Sequence, residues 1–299
     1  MKNKILFSVS FFLFIFSTCV FSQMEKEYIY GTFRSRQLIN TQTTEMLPVK
    51  SFDFTIRHRF GSMGLDSTAY QQFLGLDLPA NIRFSFALPI SKRLMIGAGR
   101  TKNGKTIDGE IKFLLFRQAE ENNPPVNIAL YFSPAITTGA FPLIPEYAYK
   151  PDSITPFRYR FSHRMAYNSQ IIISRKFSEK FSAQIAGVLI YKNLVSPSEE
   201  NQTLVVPVGL GYRTGINSSV LIEYAHRFNN RPRKNEYPIA LAYEMGTVGH
   251  VFQIVFSSSQ ELIEQEIYTK NSFDYLKKKF CMGFNLRRTF WVKKKITHT

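Results

Sequence analysis

The chain has 299 residues, with 38 Lys+Arg against 22 Asp+Glu and a formal net charge of +16 at pH 7. It contains 2 Cys, Cys19 and Cys281, which excludes a disulfide-rich scaffold and a Cys-based metal centre. The basic residues are scattered singly rather than gathered in one patch, so no nucleic-acid partner is expected.

The first 22 residues have the pattern of a signal peptide. Lys2 and Lys4 precede an apolar run over 5–16, and residues 20–22 have the spacing of a cleavage site. The run is short for a transmembrane helix. We expect residues 1–22 to be removed on export; an uncleaved anchor, or a lipoprotein acylated at Cys19, fits these residues less well.

Beyond this segment the recurring signal is alternation of apolar and polar residues, which is typical of strands with one apolar face. In 51–60, Phe52, Phe54 and Ile56 alternate with Asp53 and Arg57. The pattern predicts about twelve strands, most of them longer than the 5–6 residues usual in globular sheets. They lie near 51–60, 80–89, 93–101, 107–117, 126–137, 161–176, 181–192, 203–213, 218–228, 236–245, 249–258 and 279–291.

Strand length and link length together favour a membrane barrel. A tilted strand needs roughly 9–11 residues to cross a bilayer. Tight turns alternate with longer links, as between the periplasmic and outer faces of outer-membrane barrels. The prediction is an all-β, transmembrane, antiparallel up-and-down barrel in the outer membrane of a Gram-negative bacterium. A secreted β-sandwich is the soluble alternative, with shorter strands and a less aromatic apolar face.

Three further segments complete the predicted organisation. The polar segment 23–50 precedes the barrel (51–291) and is either a small plug in the lumen or a periplasmic tail. Residues 292–299 form a basic tail. The long link 259–278 is predicted to hold one short surface helix, because Ser259 is followed by Glu261 and Leu262.

The inward phase of the strands carries interleaved acids and bases. This mixture fits a water-filled passage for small, anionic solutes or a filled lumen crossed by ion pairs, and the interleaving of acids and bases slightly favours a filled or narrow lumen. The predicted lumen-facing charged residues are Asp53, Arg57, Arg59, Arg83, Asp108, Glu110, Lys112, Arg164, Glu223, Arg227, Glu244 and Arg287.

No catalytic, cofactor or metal site is predicted. No nucleophile motif is present, and the His residues of the predicted strands fall on the outward phase of separate strands, where they do not converge. A lipid-modifying barrel enzyme remains a distant alternative. The last strand, 279–291, ends in Phe290 and Trp291 at the predicted membrane interface, and Cys281 is expected to face inward without a partner.

Several stretches resemble, in order, a family of bacterial outer-membrane β-barrel proteins classed as a domain of unknown function. They are LINTQTTEMLPVKSFDFTIRHRFG (38–61), GLD (75–77), RLMIGAGR (93–100), DGEIKFLLFRQ (108–118), GHVFQIVFSSS (249–259), ELIEQEI (261–267) and MGFNLRRTF (282–290). The resemblance implies export and an outer-membrane barrel, and it implies no activity.

Three functions therefore stay open at this point. The first is passive passage of small solutes, and the second is a non-conducting barrel that anchors a periplasmic or surface partner. The third is the lipid-modifying enzyme. Outer-membrane lipid and the barrel-assembly machinery are the expected partners in each case.

Overall fold

The computed structural model describes residues 27–292 except 65–67, 141–157, 196–198, 229–235 and 272. The predicted signal peptide, 1–22, lies outside the described residues, as does the predicted tail after residue 292.

Strands dominate the described chain. They are β1 (Ser51–Arg59), β2 (Met63–Gly64), β3 (Asn81–Pro89), β4 (Leu94–Thr101), β5 (Thr106–Phe116), β6 (Asn127–Thr137), β7 (Met165–Lys176), β8 (Phe181–Lys192), β9 (Gln202–Arg213), β10 (Ser218–Arg227), β11 (Ile239–Gly246), β12 (His250–Ser257) and β13 (Lys279–Trp291). Two short helices are α1 (Thr68–Gln71) and α2 (Glu264–Lys270).

All of these strands except β2 close into an antiparallel barrel. Each strand pairs with its neighbour in the chain, and β1 pairs with both β3 and β13. The closing register runs from Ser51 opposite Trp291 to Arg59 opposite Gly283. The predicted fold is confirmed: a closed barrel of twelve strands, with β2 as an extra two-residue strand on the start of β13. Alternation cannot reveal a strand of two residues.

The two faces of the wall follow the alternation in the sequence. Along β1 and β5 the inward residues are buried and the outward residues are partly or fully exposed. The outward residues form a continuous apolar surface, as a wall facing lipid requires. Its exposed members include Phe84, Phe86, Ile111, Phe132, Ile171, Ile185, Leu189, Leu204, Tyr212, Ile222, Leu241 and Ile254.

The barrel has two different ends. At the terminus end, where β1 starts and β13 stops, the links are 90–93, 117–126, 177–180, 214–217 and 247–249. At the loop end the links are 60–80, 102–105, 138–164, 193–201, 228–238 and 258–278. Most of the longer links therefore lie at the loop end; 102–105 is short for that end, and 117–126 is long for the terminus end.

Helix α2 differs from the sequence prediction. It was expected on the surface, yet Glu264, Gln265, Ile267, Tyr268 and Thr269 are all buried, because the 258–278 link folds back into the barrel. Within the described residues, no helix is long and apolar enough to cross a membrane.

One strand begins later than the alternation indicated. The predicted segment 161–176 starts with a 3₁₀ turn, Phe161–Arg164, and β7 begins only at Met165. Arg164 therefore belongs to the loop-end rim, where its Nη1 donates to the backbone oxygens of Thr137 and Gly139 at 2.9 and 2.6 Å.

Candidate functional site

Two segments of the chain fill the lumen from opposite ends. Residues 31–47, here the luminal hairpin, enter from the terminus end. Residues 258–271, here the luminal loop, enter from the loop end and include α2. They meet where the Gln42 backbone N–H donates to Glu264 Oε1 at 3.2 Å.

The luminal hairpin is held together by its own backbone. Leu38 N donates to Thr41 O at 2.9 Å, and Thr43 N donates to Arg36 O at 3.0 Å. It contacts Ser85 on β3, Ser174 on β7 and Glu223 on β10, which lie on different sides of the barrel. A segment that contacts opposite walls at once lies near the barrel axis.

The tip of the hairpin is bound by one carboxylate. Glu223, on β10, accepts hydrogen bonds from the backbone N–H groups of Ile39, Asn40 and Thr41 at 2.8–3.1 Å, and from Thr41 Oγ1 at 2.7 Å. Converging backbone N–H groups form a site for an anion. Here a wall side chain supplies the anion, which fixes the position of the tip.

One side of the lumen wall is charged. This charged sector consists of the inward faces of β1, β3, β4 and β5, and it pairs with the hairpin through Arg36. The Arg36 guanidinium forms ion pairs with Glu110 and, at 3.8 Å, with Asp53. Lys112 Nζ donates to the Arg36 backbone oxygen at 2.8 Å. Within the wall itself, Arg83 and Asp108 form a bidentate pair.

The other side of the wall carries most of the buried aliphatic side chains, interspersed with polar side chains and with the charged Glu223, Arg227 and Glu244. This apolar sector consists of the inward faces of β7–β12. Phe33, Leu38 and Ile39 of the hairpin pack in one buried cluster with Leu221, Ala240, Ala242 and Val255. Ile267 and Tyr268 of the luminal loop pack in another with Tyr131, Ile172, Ala186, Val188, Ile190, Val205 and Ala225.

A glycine makes room for the hairpin on this side. Gly209, on β9, faces Leu38 so closely that a Cβ at position 209 would collide with Leu38 Cδ2. Leu38 itself is 1% exposed. Leu38 of the hairpin therefore occupies the space that a side chain at position 209 would fill, and glycine is the residue that allows such a close approach to a strand.

The luminal loop brings a carboxylate into the apolar sector. Glu264 Oε2 accepts from Asn168 Nδ2 at 2.9 Å and Gln170 Nε2 at 2.6 Å, and no described residue forms an ion pair with it. Burial without a paired cation disfavours the charged form and raises the pKa of Glu264 to about 7.

The predicted charged residues lie on inward strand positions, with the exception of Arg164 on the rim. Most are buried, and Arg287 is half-buried. The buried inward members are Asp53, Arg57, Arg59, Arg83, Asp108, Glu110, Lys112, Glu223, Arg227 and Glu244. The structure brings most of them against the two luminal segments rather than around an open passage.

The sequence prediction offered segment 23–50 as a lumen plug or a periplasmic tail, but it did not identify the side chains that hold the two luminal segments in place. Arg36 and Glu264 carry no local signal, because their partners lie on distant strands. The inward apolar residues do carry a local signal: over 171–173, 185–191 and 204–208 the alternation gives way to continuous apolar runs. Such runs are typical of strands buried on both faces.

Two smaller predictions can be compared with the structure. Cys281 faces inward as expected, but it has partners: its Sγ donates to the backbone oxygens of Ser257 and Ser259 at 3.3 and 3.2 Å. At the closing strand, Phe290 stacks on Phe52 with ring centroids 4.8 Å apart, and Trp291 is 53% exposed.

A cleft of about 970 Å³ opens at the terminus end. Tyr28, Tyr30 and Val49 contribute exposed apolar surface on the hairpin side. Lys92, Arg93 and Arg117 outnumber the one acid of its lining, Glu45, and give it a net positive charge. The Arg117 guanidinium lies over the Tyr30 ring at 4.5 Å from its centroid.

Comparison with known proteins agrees with this architecture. Residues 33–290 match the family described as "Membrane bound beta barrel domain" (DUF5777). The chain belongs to this family. No curated protein matches the sequence.

One solved porin shares the fold, and a second superposes less closely. A NanC porin superposes with a TM-score of 0.50 at 7% identity, covering 79% of this chain and 98% of that chain. A KdgM porin superposes with a TM-score of 0.45 at 7% identity, covering 80% of this chain and 99% of that chain. Identity this low shows the barrel fold alone. The family member is therefore a membrane-bound β-barrel.

Proposed function

We propose that this family member is an outer-membrane barrel that does not conduct in its resting state and serves as a membrane anchor for a periplasmic partner. The observation that carries the proposal is the apolar sector. Ile172, Val188 and Ile190 point into the lumen and are 0% exposed because the luminal loop covers them.

A water-filled passage has a polar interior. Leaving a side chain such as Ile or Val in water rather than burying it costs about 1.5–3 kcal/mol each. A lumen lined in this way is stable when protein fills it. The cavities that remain beside Arg57 are about 20 and 10 Å³, room for single water molecules.

Planar-bilayer recording tests the closed state. The purified full chain is expected to show no ion-conducting openings at any voltage, while a general porin reconstituted in parallel does. Steady openings of the wild-type protein would overturn the proposal.

The terminus-end cleft is the proposed docking surface. In outer-membrane barrels the short turns lie on the periplasmic side. Most of the short turns of this barrel lie at the terminus end, which supports a periplasmic position for the cleft. Its exposed tyrosines and its three cationic residues suit a partner segment that is apolar and acidic.

Photo-crosslinking in cells tests the docking surface. A photoreactive residue at Tyr30, 66% exposed, is expected to give a discrete crosslinked protein. The same residue at Ile216, exposed on another terminus-end turn, is the control and is expected to give none. Equal crosslinking at both positions would contradict a specific cleft.

Gated passage is a second candidate, favoured by the path of the hairpin. It enters and leaves by the terminus end, so it can withdraw without opening the wall. Thr44 Oγ1 lies 2.5 Å from Ser174 Oγ, which places a disulfide within reach in the double variant Thr44→Cys/Ser174→Cys. If conduction is gated by hairpin withdrawal, this disulfide abolishes it and a reductant restores it. Either single variant is the control.

A further inference from the structure

Three guanidinium groups face one small cavity between the luminal hairpin and the wall. The cavity measures about 20 Å³ and is lined by Arg36 of the hairpin, Arg57 of β1, Arg287 of β13 and Thr55 of β1. No carboxylate lines it.

Several donors around this cavity have no hydrogen-bond partner among the described residues. They are Nε and Nη1 of Arg57, Nε of Arg36, Nε of Arg287 and Oγ1 of Thr55. Arg57 is 2% exposed, and it donates only through Nη2 to the Leu262 backbone oxygen.

The nearest carboxylate is already shared. Asp53 Oδ2 lies 3.8 Å from Arg36 Nε and 3.6 Å from Arg287 Nε, distances that are longer than hydrogen bonds. No described carboxylate forms an ion pair with Arg57. Asp108 and Glu264 line a second small cavity on Arg57, but Asp108 is paired with Arg83 and burial raises the pKa of Glu264 to about 7. The lining of the first cavity therefore holds three arginines and no acid.

Buried charges in proteins are paired, and buried donors are hydrogen-bonded. A water molecule could accept from these donors but would leave Arg57 without an ion-pair partner. A small anion does both. The volume admits a particle close to a water molecule in size, and it is too small for a tetrahedral phosphate or sulfate.

We propose that the cavity between Arg36, Arg57 and Arg287 binds a monovalent anion of chloride size. The ion joins one guanidinium of the hairpin to two of the wall, so its binding stabilises the closed lumen. Any ligand that binds only the folded state raises the apparent stability in proportion to the logarithm of its concentration.

Thermal unfolding in detergent at constant ionic strength tests the proposal. The full chain is compared in sodium chloride, sodium bromide and sodium gluconate, by heat-modifiable gel mobility. Chloride and bromide are expected to raise the midpoint by several degrees over gluconate, because gluconate is too large to enter. Equal midpoints in the three salts would overturn the proposal.

Matched variants locate the effect. Arg57→Gln is expected to lose the chloride-dependent shift. Arg59→Gln removes a buried arginine of the same strand that is bound by oxygens of His58, Asn285 and Asn40, and it should keep the shift. If Arg57→Gln does not fold, Thr55→Val takes its place and should show a smaller shift than wild type. A full shift in the variant that folds would place the ion elsewhere and refute the site.

Crystals grown in sodium bromide give a direct readout. An anomalous peak in contact with Arg57 and Arg287 is expected. Water at that position, with no anomalous signal, would refute the anion.

Discussion

The charged sector and the apolar sector bind the same luminal segments by different means. On β1, β3 and β5 the wall offers charged groups, and Arg36 of the hairpin enters among them. On β7–β12 the hairpin presents Phe33, Leu38 and Ile39 to Leu221, Ala240, Ala242 and Val255, and one carboxylate of this sector, Glu223, binds its tip.

The difference explains how the hairpin takes one orientation. Turning it about the barrel axis would place Arg36 against aliphatic side chains and Leu38 against carboxylates. Both placements are costly, because a buried charge needs a pair and a buried acid needs a donor. The two sectors together therefore favour a single rotational orientation of the hairpin about the barrel axis.

The largest expected effect comes from breaking the charged side. Arg36→Met removes the partner of Glu110 and one partner of Asp53, leaving buried charge uncompensated. We expect a loss of about 3–5 kcal/mol in the free energy of unfolding. Denaturant unfolding followed by the fluorescence of Trp291, the single tryptophan, measures it.

A second variant sharpens that result. Arg36→Met combined with Glu110→Gln should be less destabilised than Arg36→Met alone, because one uncompensated charge is gone. A double variant as unstable as the sum of the two single variants would contradict the pairing.

On the apolar side, Leu38→Ala should lower the free energy of unfolding by about 2–5 kcal/mol, as expected for truncating a buried leucine in a packed core. The measurement is the same denaturant midpoint. Leu276→Ala is the control, since Leu276 is 79% exposed, and it should change little. Equal effects of the two substitutions would show that Leu38 is not packed in the lumen.

The luminal loop makes the free energy of unfolding depend on pH. The pKa of Glu264 is about 7 in the folded protein, against 4.5 for an ordinary Glu, so the folded state binds more protons between these values. The free energy of unfolding should therefore fall as pH rises from about 4.5 to about 7, by at most about 3 kcal/mol from this group. Glu264→Gln should lack this component when unfolding is compared at pH 5 and pH 8. An identical pH profile in both proteins would contradict the assignment.

The smallest effect is expected at the glycine that faces Leu38. Gly209→Ala should cost about 1–3 kcal/mol by overpacking, and adding Leu38→Ala should relieve part of that cost. Unfolding midpoints of the two single variants and the double variant form a cycle. Strict additivity would show that positions 38 and 209 are not in contact.

The wall of the barrel could be predicted from the sequence because lipid imposes a period of two on each strand. The predicted strands 181–192 and 279–291 coincide with β8 and β13. Both bury alternate residues, and Ile185 and Leu189 remain exposed outward. The family resemblance and the barrel class followed from the same residues.

The contents of the lumen could not be predicted in the same way. The tip of the hairpin is held by Glu223, far away in the chain, so the residues 39–41 carry no local pattern that reports it. Glu264 was predicted to lie on the surface for the same reason, because a short helix has the same sequence pattern in solvent and in a polar cavity. The apolar runs around Ile172 and Ile190 were the available signal that both faces of the wall are covered.

The thiol reactivity of position 35 tests the closed lumen most directly. Ser35 lies in the hairpin and is 6% exposed, whereas Lys92 lies on an exposed turn at the same end. Each is replaced by Cys in a background without Cys19 and Cys281, and the folded protein in lipid vesicles is treated with a membrane-impermeant maleimide. The closed barrel predicts rapid labelling at position 92 and almost none at position 35. Equally rapid labelling at both positions would contradict it.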